Sequence, residues 1–299
     1  MKPGDATTPS PAAIWLSASR PRTLPAAVAP VLVGTAMAAH DHHLVEPAAL
    51  LCLAFALLVQ VGTNFANDYY DFVKGADTEA RVGPRRAVAA GLVSPATMRR
   101  AMLGVFAAAF VLGLGLIYWG GPWMLAVGVA SILSGYAYTG GPWPLGYHGL
   151  GDIFVFVFFG LVAVSTTYFV QARAVSGMVL LASVPMGLLA ANILLVNNYR
   201  DADTDALANK RTVVVRFGRR YANAQYGLSI AVALLVPLAF FARGYGAWCL
   251  LPLAVAPMAF SHAKRLKSAQ GPGELVALLG DTGKFLALYA VLFSAGVLL

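Results

Sequence analysis

The sequence predicts an all-α integral membrane protein of about nine transmembrane helices, and three observations carry that expectation. Of its 299 residues, 59% are hydrophobic and 11% charged, where an ordinary soluble domain carries about 25% charged residues. Apolar runs repeatedly reach the ~20 residues that cross ~30 Å of hydrocarbon, and Gly, Pro or charge bounds each one. If the spans alternate across the bilayer, all 21 Lys and Arg residues except Arg173 and Arg243 fall on one side. That bias marks a cytoplasmic face.

The predicted spans are 22–39, 47–71, 98–118, 122–139, 149–171, 177–200, 221–241, 245–266 and 275–299, preceded by an N-terminal cytoplasmic tail at 1–21. Residues 22–299 then form a single transmembrane domain. The tail has no long apolar core behind early positive charge, so no cleaved signal peptide is expected. Its Ile14, Trp15 and Leu16 fit either a short interfacial helix or an unstructured lead-in. Prolines 25, 30, 185, 237, 252 and 257 fall within spans, where each would kink or locally open the backbone. Cys52 and Cys249 stand singly in apolar runs and read as small buried hydrophobes. His40, His42 and His43 share a short polar loop and read as solvated, without metal-ligand spacing. Alternation places the N-terminus inside and the C-terminus outside.

Two polar passages interrupt this apolar pattern. In QVGTNFANDYYDFVKGADTEARVGPRR, which runs from Gln60 to Arg86, residues Asn64, Asn67, Asp68 and Asp71 recur at helical spacing and share one face. Asp77 and Glu79 follow past the expected helix end. In LLVNNYRDADTDALANKRTVVVR the residues Asn197, Asp201 and Asp205 share a face, with Asn198 and Asp203 beside them. Asp68, Asp71, Asp77, Glu79, Asp201, Asp203 and Asp205 make up more than half of the chain's 13 acids. So many carboxylates near lipid are costly unless cations join them. Oxygen ligands without His or thiolate favour a hard ion such as Mg²⁺, which binds through one or two carboxylates plus substrate phosphate. Lys74, Arg81, Arg85, Arg86, Lys210, Arg211 and Arg216 are interleaved with the acids. Arg in particular offers bidentate contacts to phosphate. A site of this composition in a membrane suggests a polyprenyl diphosphate, with Phe65, Tyr69, Tyr136, Tyr138 and Tyr147 as candidate aromatic faces for an allylic cation. The neighbouring Asn64, Asn67, Asn197 and Asn198 are candidates to bind metal or substrate or to orient a carboxylate. The similar order of the two motifs, four helices apart, suggests a weak internal duplication.

At these residues the sequence resembles the UbiA-type intramembrane prenyltransferase superfamily, whose signature is two Asp-rich motifs on nine transmembrane helices. Asn67, Asp68 and Asp71 match the superfamily's NDxxDxxxD, but Gly75 stands at the last acid and Asp77 follows it. NDYYDFVKGADT, RPRTLP at residues 20–25, YTGGPWPLGYHGLGD and NNYRDADTDALANKRTVVVRFG resemble the 1,4-dihydroxy-2-naphthoate prenyltransferase branch. Asn209 stands where that branch usually has Gly. The resemblance implies a UbiA-type helix bundle with cytoplasmic cap segments in a bacterial cytoplasmic membrane. It implies transfer of a polyprenyl group to 1,4-dihydroxy-2-naphthoate with loss of diphosphate and carbon dioxide, giving demethylmenaquinone. Asp68, Asp71, Asp77, Asp201 and Asp205 would hold Mg²⁺, with Lys210, Arg211 and Arg81 on diphosphate. Arg20, Lys74 and Arg85 are further substrate-binding candidates, and Tyr138 and Asp152 are candidates for the aromatic acceptor. No nucleic-acid partner is expected, and prenyl chain length and oligomeric state are left open. A 4-hydroxybenzoate-type prenyltransferase is the alternative acceptor reading. An ion-coupled transporter would place its acids near the midplane at broken helices, not at helix ends among Lys and Arg.

Overall fold

The computed structural model describes residues 9–77, 83 and 86–299. Short helix α1 (Pro11–Ala18) leads into α2 (Pro25–His40), α3 (Glu46–Val73), α4 (Pro95–Gly120) and α5 (Met124–Ala137). Then α6 (Gly151–Val155), a π-helical segment (Phe156–Val162) and α7 (Ala163–Ala172) run as one rod. After α8 (Gly177–Leu207) and α9 (Val213–Ala242), a 3₁₀ segment (Ala247–Val255) enters α10 (Ala256–Ser268), and α11 (Pro272–Leu298) closes the chain. Each expected span has its helical passage within a few residues. Six helices are long and apolar enough to cross a bilayer, or seven if the pair Pro11–Thr23 and Pro25–His40, bent by 55°, is one span. The count of nine is therefore approximate: α5 has 14 residues, and the 245–266 passage is divided between 3₁₀ and α-helix.

Local chemistry explains the boundaries. Ser94, Ser176 and Thr212 each turn a hydroxyl onto the backbone N–H three residues on, at 3.2, 3.3 and 3.3 Å, opening α4, α8 and α9. Each such cap contributes about 1 kcal/mol. Gly218, at φ 79° inside α9, breaks the helix where only glycine sits without strain. The membrane-crossing part of α9 thus begins near the expected residue 221. Pro25 opens α2, Pro257 lies in the first turn of α10, and Pro252 lies in the 3₁₀ segment. Pro30, Pro185 and Pro237 sit inside helices.

The largest core joins α2, α8, α9 and α11, with Tyr226, Phe240, Phe285, Tyr289 and Phe293 fully buried. The π-segment crosses α8 at bare backbone: a Cβ on Gly160 would lie 2.8 Å from the Gly187 Cα. Such small-residue contacts let helices approach in lipid, where burial from water no longer drives association. A second core joins α3 and α4 with the cap residues Ala87, Val88 and Val93, and the Trp15 ring of α1 packs against it, tilted and 5.4 Å from the Phe65 ring. Residues 11–18 are thus a helix docked on α3. Both cysteines are buried and His40, His42 and His43 are exposed, as expected.

Candidate active site

The first polar stripe lies on the last turns of α3, with Asn64, Asn67, Asp68 and Asp71 all buried. Gly75 takes φ 69° just past the helix, a conformation an aspartate would adopt only with strain. The Ala76 and Asp77 N–H groups then fold back onto the Asp71 carbonyl at 2.8 and 3.3 Å. That turn explains why the third acid stands at Asp77. Arg86 joins the acids: its guanidinium is 2.8 Å from Asp71 and 3.3 Å from Asp77, and Nη1 donates to the Asn67 carbonyl. Burial works against the Arg86 charge, but Asp71, Asp77 and Asp68 outweigh it and hold its pKa up. Asp68 points elsewhere. Its two oxygens accept the backbone N–H groups of Ala87 and Val88 at 3.0 and 3.1 Å, so it anchors the cap segment.

The second stripe is helical throughout, because α8 continues to Leu207. Asp201 is clamped by Arg200, whose Nε and Nη2 donate at 2.7 and 2.6 Å. Asp205 lies 3.5 Å from Lys210, and its Oδ2 is buried without a hydrogen-bond partner. Asp203 faces outward, paired with Arg219 at 3.0 Å. Asn209 holds φ 55°, which asparagine tolerates better than most side chains, so it replaces the customary glycine at little cost.

The loop between α5 and α6 unites the motifs. Tyr147 donates to Asp71 at 2.8 Å, and its carbonyl accepts the Arg211 N–H at 2.9 Å. Burial and Asp71 both push its phenol pKa up, so it remains a donor at neutral pH. Lys74 donates to the Thr139 and Gly141 carbonyls at 2.7 and 3.2 Å, and Thr139 donates to Asn67 Oδ1 at 2.8 Å. Asn64 holds Ser19 and Thr23, at 2.9 and 3.3 Å, around Arg20 in its left-handed conformation at φ 52°.

These elements enclose a cavity of about 240 Å³. Arg20, Asn64, Asn67, Asp71, Arg86, Tyr138, Asn197, Asn198 and Lys210 line its polar end. Phe55, Phe154, Phe158 and Phe159 form apolar walls, and Cys52, Leu116 and Met124 lie towards the far end. From Cys52 to Asp71, α3 rises about 28 Å at ~1.5 Å per residue, close to the ~30 Å hydrocarbon thickness. Of the five aromatic residues expected to face a cation, Tyr138 is the one on this wall. Phe65 packs against Trp15, Tyr70 links to Tyr69 and Tyr136, and the Tyr147 ring faces lysines. The Arg211 side chain is exposed, and Asp152 is buried off the cavity, accepting from Gln225 at 3.1 Å. Glu79, Arg81 and Arg85 lie outside the described residues.

Among the described residues no three acidic, His or Cys side chains converge as a metal cage. The donors are carboxylates in ones and twos, and the partnerless Asp205 Oδ2 leaves room for a further ligand. That set suits a hard divalent ion completed by phosphate oxygens.

Residues 27–288 match the UbiA prenyltransferase family. The chain belongs to that family. It is 42% identical over 277 residues to the 1,4-dihydroxy-2-naphthoate octaprenyltransferase of Mycobacterium tuberculosis, covering 93% of this chain and 94% of the relative. It is 36% identical over 293 residues to the Escherichia coli protein of the same name, covering 95% of each. A UbiA homolog from Archaeoglobus fulgidus, solved bound to DMAPP and Mg²⁺, shares the fold at a TM-score of 0.62 and 17% identity, covering 94% of this chain and 99% of that one. The protein is an integral membrane prenyltransferase.

Proposed function

We propose that this UbiA-family enzyme transfers a polyprenyl group from its diphosphate to 1,4-dihydroxy-2-naphthoate, releasing diphosphate and carbon dioxide and forming the quinol of demethylmenaquinone. The observation that carries the reading is the cavity: a charged head end opening into an apolar shaft about as deep as a bilayer leaflet pair. It fits a diphosphate with a long hydrocarbon tail. The acceptor follows from relatives named for it across almost the whole chain.

Asp71, Asp77, Asp201 and Asp205 would hold Mg²⁺, which when bound neutralises charge on the departing diphosphate. Arg86 and Lys210, now occupied by those same acids, would then turn to phosphate oxygens, with Arg20 beside them at the mouth. The bond from the prenyl carbon to the diphosphate oxygen breaks with its electron pair leaving on diphosphate. Phe154, Phe158 and Phe159 keep water from the allylic cation, so the ring reaches it first. Tyr138 presents its hydroxyl beside Gly151, whose missing side chain leaves it space: a Cβ there would lie 3.1 Å from the Tyr138 oxygen. Behind it, buried Asp152 has no cationic partner among the described residues, which suits a group that meets a phenolic proton.

Purified protein supplied with Mg²⁺, polyprenyl diphosphate and the naphthoate should release diphosphate and form a prenylated naphthoquinol. Absence of metal-dependent diphosphate release would sink the reading. Lys210→Ala should raise KM for the polyprenyl diphosphate about 10- to 100-fold, the worth of one charged hydrogen bond, and leave the acceptor KM nearly unchanged. The reverse pattern would move Lys210 to the acceptor side. The basic-residue bias supports an orientation with the N-terminus and the acidic ends of α3 and α8 in the cytoplasm of a bacterial cell and the C-terminus outside. A C-terminal tag should be labelled by impermeant reagent in intact cells; labelling that appears only after lysis removes one crossing.

A further inference from the structure

Tyr147 belongs to neither acidic motif and does not line the cavity, yet it touches both motifs. It sits in the 3₁₀ turn Leu145–His148. Its hydroxyl donates to Asp71 Oδ1 at 2.8 Å, while Arg86 holds the other Asp71 oxygen at 2.8 Å. The Lys74 ammonium lies 5.1 Å from its ring centroid and the Lys210 ammonium 5.5 Å. Its carbonyl accepts the Arg211 N–H at 2.9 Å, fixing the turn that presents Lys210. Lys74 and Asp71 come from α3 and its end, Lys210 and Arg211 from the segment after α8.

Each contact has a directional consequence. A hydroxyl bonded to one carboxylate oxygen limits the rotation of that carboxylate and leaves fewer orientations for the remaining lone pairs. An aromatic ring with an ammonium near it attracts that ammonium through its quadrupole. Two ammonium groups near one ring would otherwise spread apart, so the ring offsets part of their repulsion.

We propose that Tyr147 is a positioning residue that couples the two acidic motifs: its hydroxyl orients Asp71 towards the metal, and its ring gathers Lys74 and Lys210 for the diphosphate. This rests on the prenyl diphosphate reading above. The two parts of the side chain have separable duties, which a residue serving only to pack the loop would not.

Tyr147→Phe keeps the ring and removes the hydroxyl; Tyr147→Leu removes both. Mn²⁺ titration by electron paramagnetic resonance, in the presence of inorganic diphosphate, reads metal affinity without turnover. Steady-state kinetics read the two substrate KM values. Tyr147→Phe should weaken Mn²⁺ binding about tenfold, with the KM for polyprenyl diphosphate within about twofold of wild type. Tyr147→Leu should weaken Mn²⁺ equally and raise the diphosphate KM about tenfold further, leaving the acceptor KM unchanged. Unaltered Mn²⁺ affinity in Tyr147→Phe, or equal rises of both KM values in Tyr147→Leu, overturns the coupling role while leaving the enzyme assignment standing. A wild-type protein that releases no diphosphate from the prenyl substrate removes the assignment instead, whatever the Mn²⁺ titrations give.

Discussion

Asp71→Asn should lower turnover at least about 100-fold, the loss expected when a metal site is robbed of more than a supporting contact. One oxygen becomes one NH₂ group, so the shape of the helix end is preserved. The charge that meets Arg86, lies within reach of Lys210 and lines the cavity disappears. Purified variant and wild type should match in size-exclusion profile and helical content. Near wild-type turnover at saturating Mg²⁺ would take Asp71 out of the metal site.

Asp68→Asn should also lose activity, but by a different route. Its two oxygens accept the N–H groups of Ala87 and Val88, and an asparagine can accept only one of them. The other N–H then faces an amide NH₂, and a buried donor left unmet costs about 1–3 kcal/mol. Limited trypsin digestion separates the cases, because the basic residue Arg86 directly precedes the Ala87 and Val88 N–H groups that Asp68 anchors. Faster cleavage there in Asp68→Asn than in Asp71→Asn supports the anchor. Equal cleavage with equal loss of turnover would return Asp68 to a ligand role.

The spans were legible because lipid imposes one rule on every residue of a run, so the ends of α3, α4 and α11 fall within a few residues of their apolar boundaries, while α8 continues seven residues past its expected end at residue 200, through the polar stripe to Leu207. The stripes were legible for a related reason: Asn64, Asn67, Asp68 and Asp71 repeat at the helical period, and α3 is helical through Val73. What period shows is a shared face, and what it does not show is which partner meets each side chain on that face. Asp68 and Asp71 differ by three residues, yet one binds loop backbone and the other lines the cavity. Only the path of the cap segment decides between them.

The same limit hid Arg86, which pattern alone does not distinguish from Arg81 and Arg85 as a site residue. Its place follows from the Ala87 and Val88 N–H bonds to Asp68, which bring the adjacent guanidinium over Asp71. Tyr147 is legible only as an aromatic ring, and its bond to Asp71, like that of Gln225 to Asp152, spans 76 and 73 residues respectively, beyond any local spacing. The phenylalanine walls left a faint trace. Cavity positions 154, 158, 162 and 166, with 155, 159, 163 and 167, repeat every fourth residue, a wider step than the ~3.6 of an α-helix. The π-segment at Phe156–Val162 accounts for it. Glycine and asparagine carried more information: Gly75 and Asn209 both mark left-handed turns that deliver Asp77 and Lys210.

Carboxyl-labelled 1,4-dihydroxy-2-naphthoate should yield labelled carbon dioxide in proportion to prenylated product, with 4-hydroxybenzoate in a parallel reaction giving little or none. A ring with two hydroxyls is electron-rich enough to attack an allylic cation at the carbon bearing the carboxylate. A carbon–carbon bond forms there; the bond to the carboxylate then breaks, returning its electron pair to the ring and restoring aromaticity. No strong base is required at that carbon. This agrees with a site whose acids are held by Arg86, Arg200 and Lys210, while buried Asp152, which accepts from Gln225 and meets no cation among the described residues, stands behind Tyr138 off the cavity wall. Direct proton removal from a ring carbon would demand a carboxylate in the cavity beside the aromatic walls, where the lining near Phe154, Phe158 and Phe159 has none. Prenylated 4-hydroxybenzoate, with no labelled carbon dioxide from the naphthoate, would reverse the acceptor assignment and leave the prenyltransferase family membership intact.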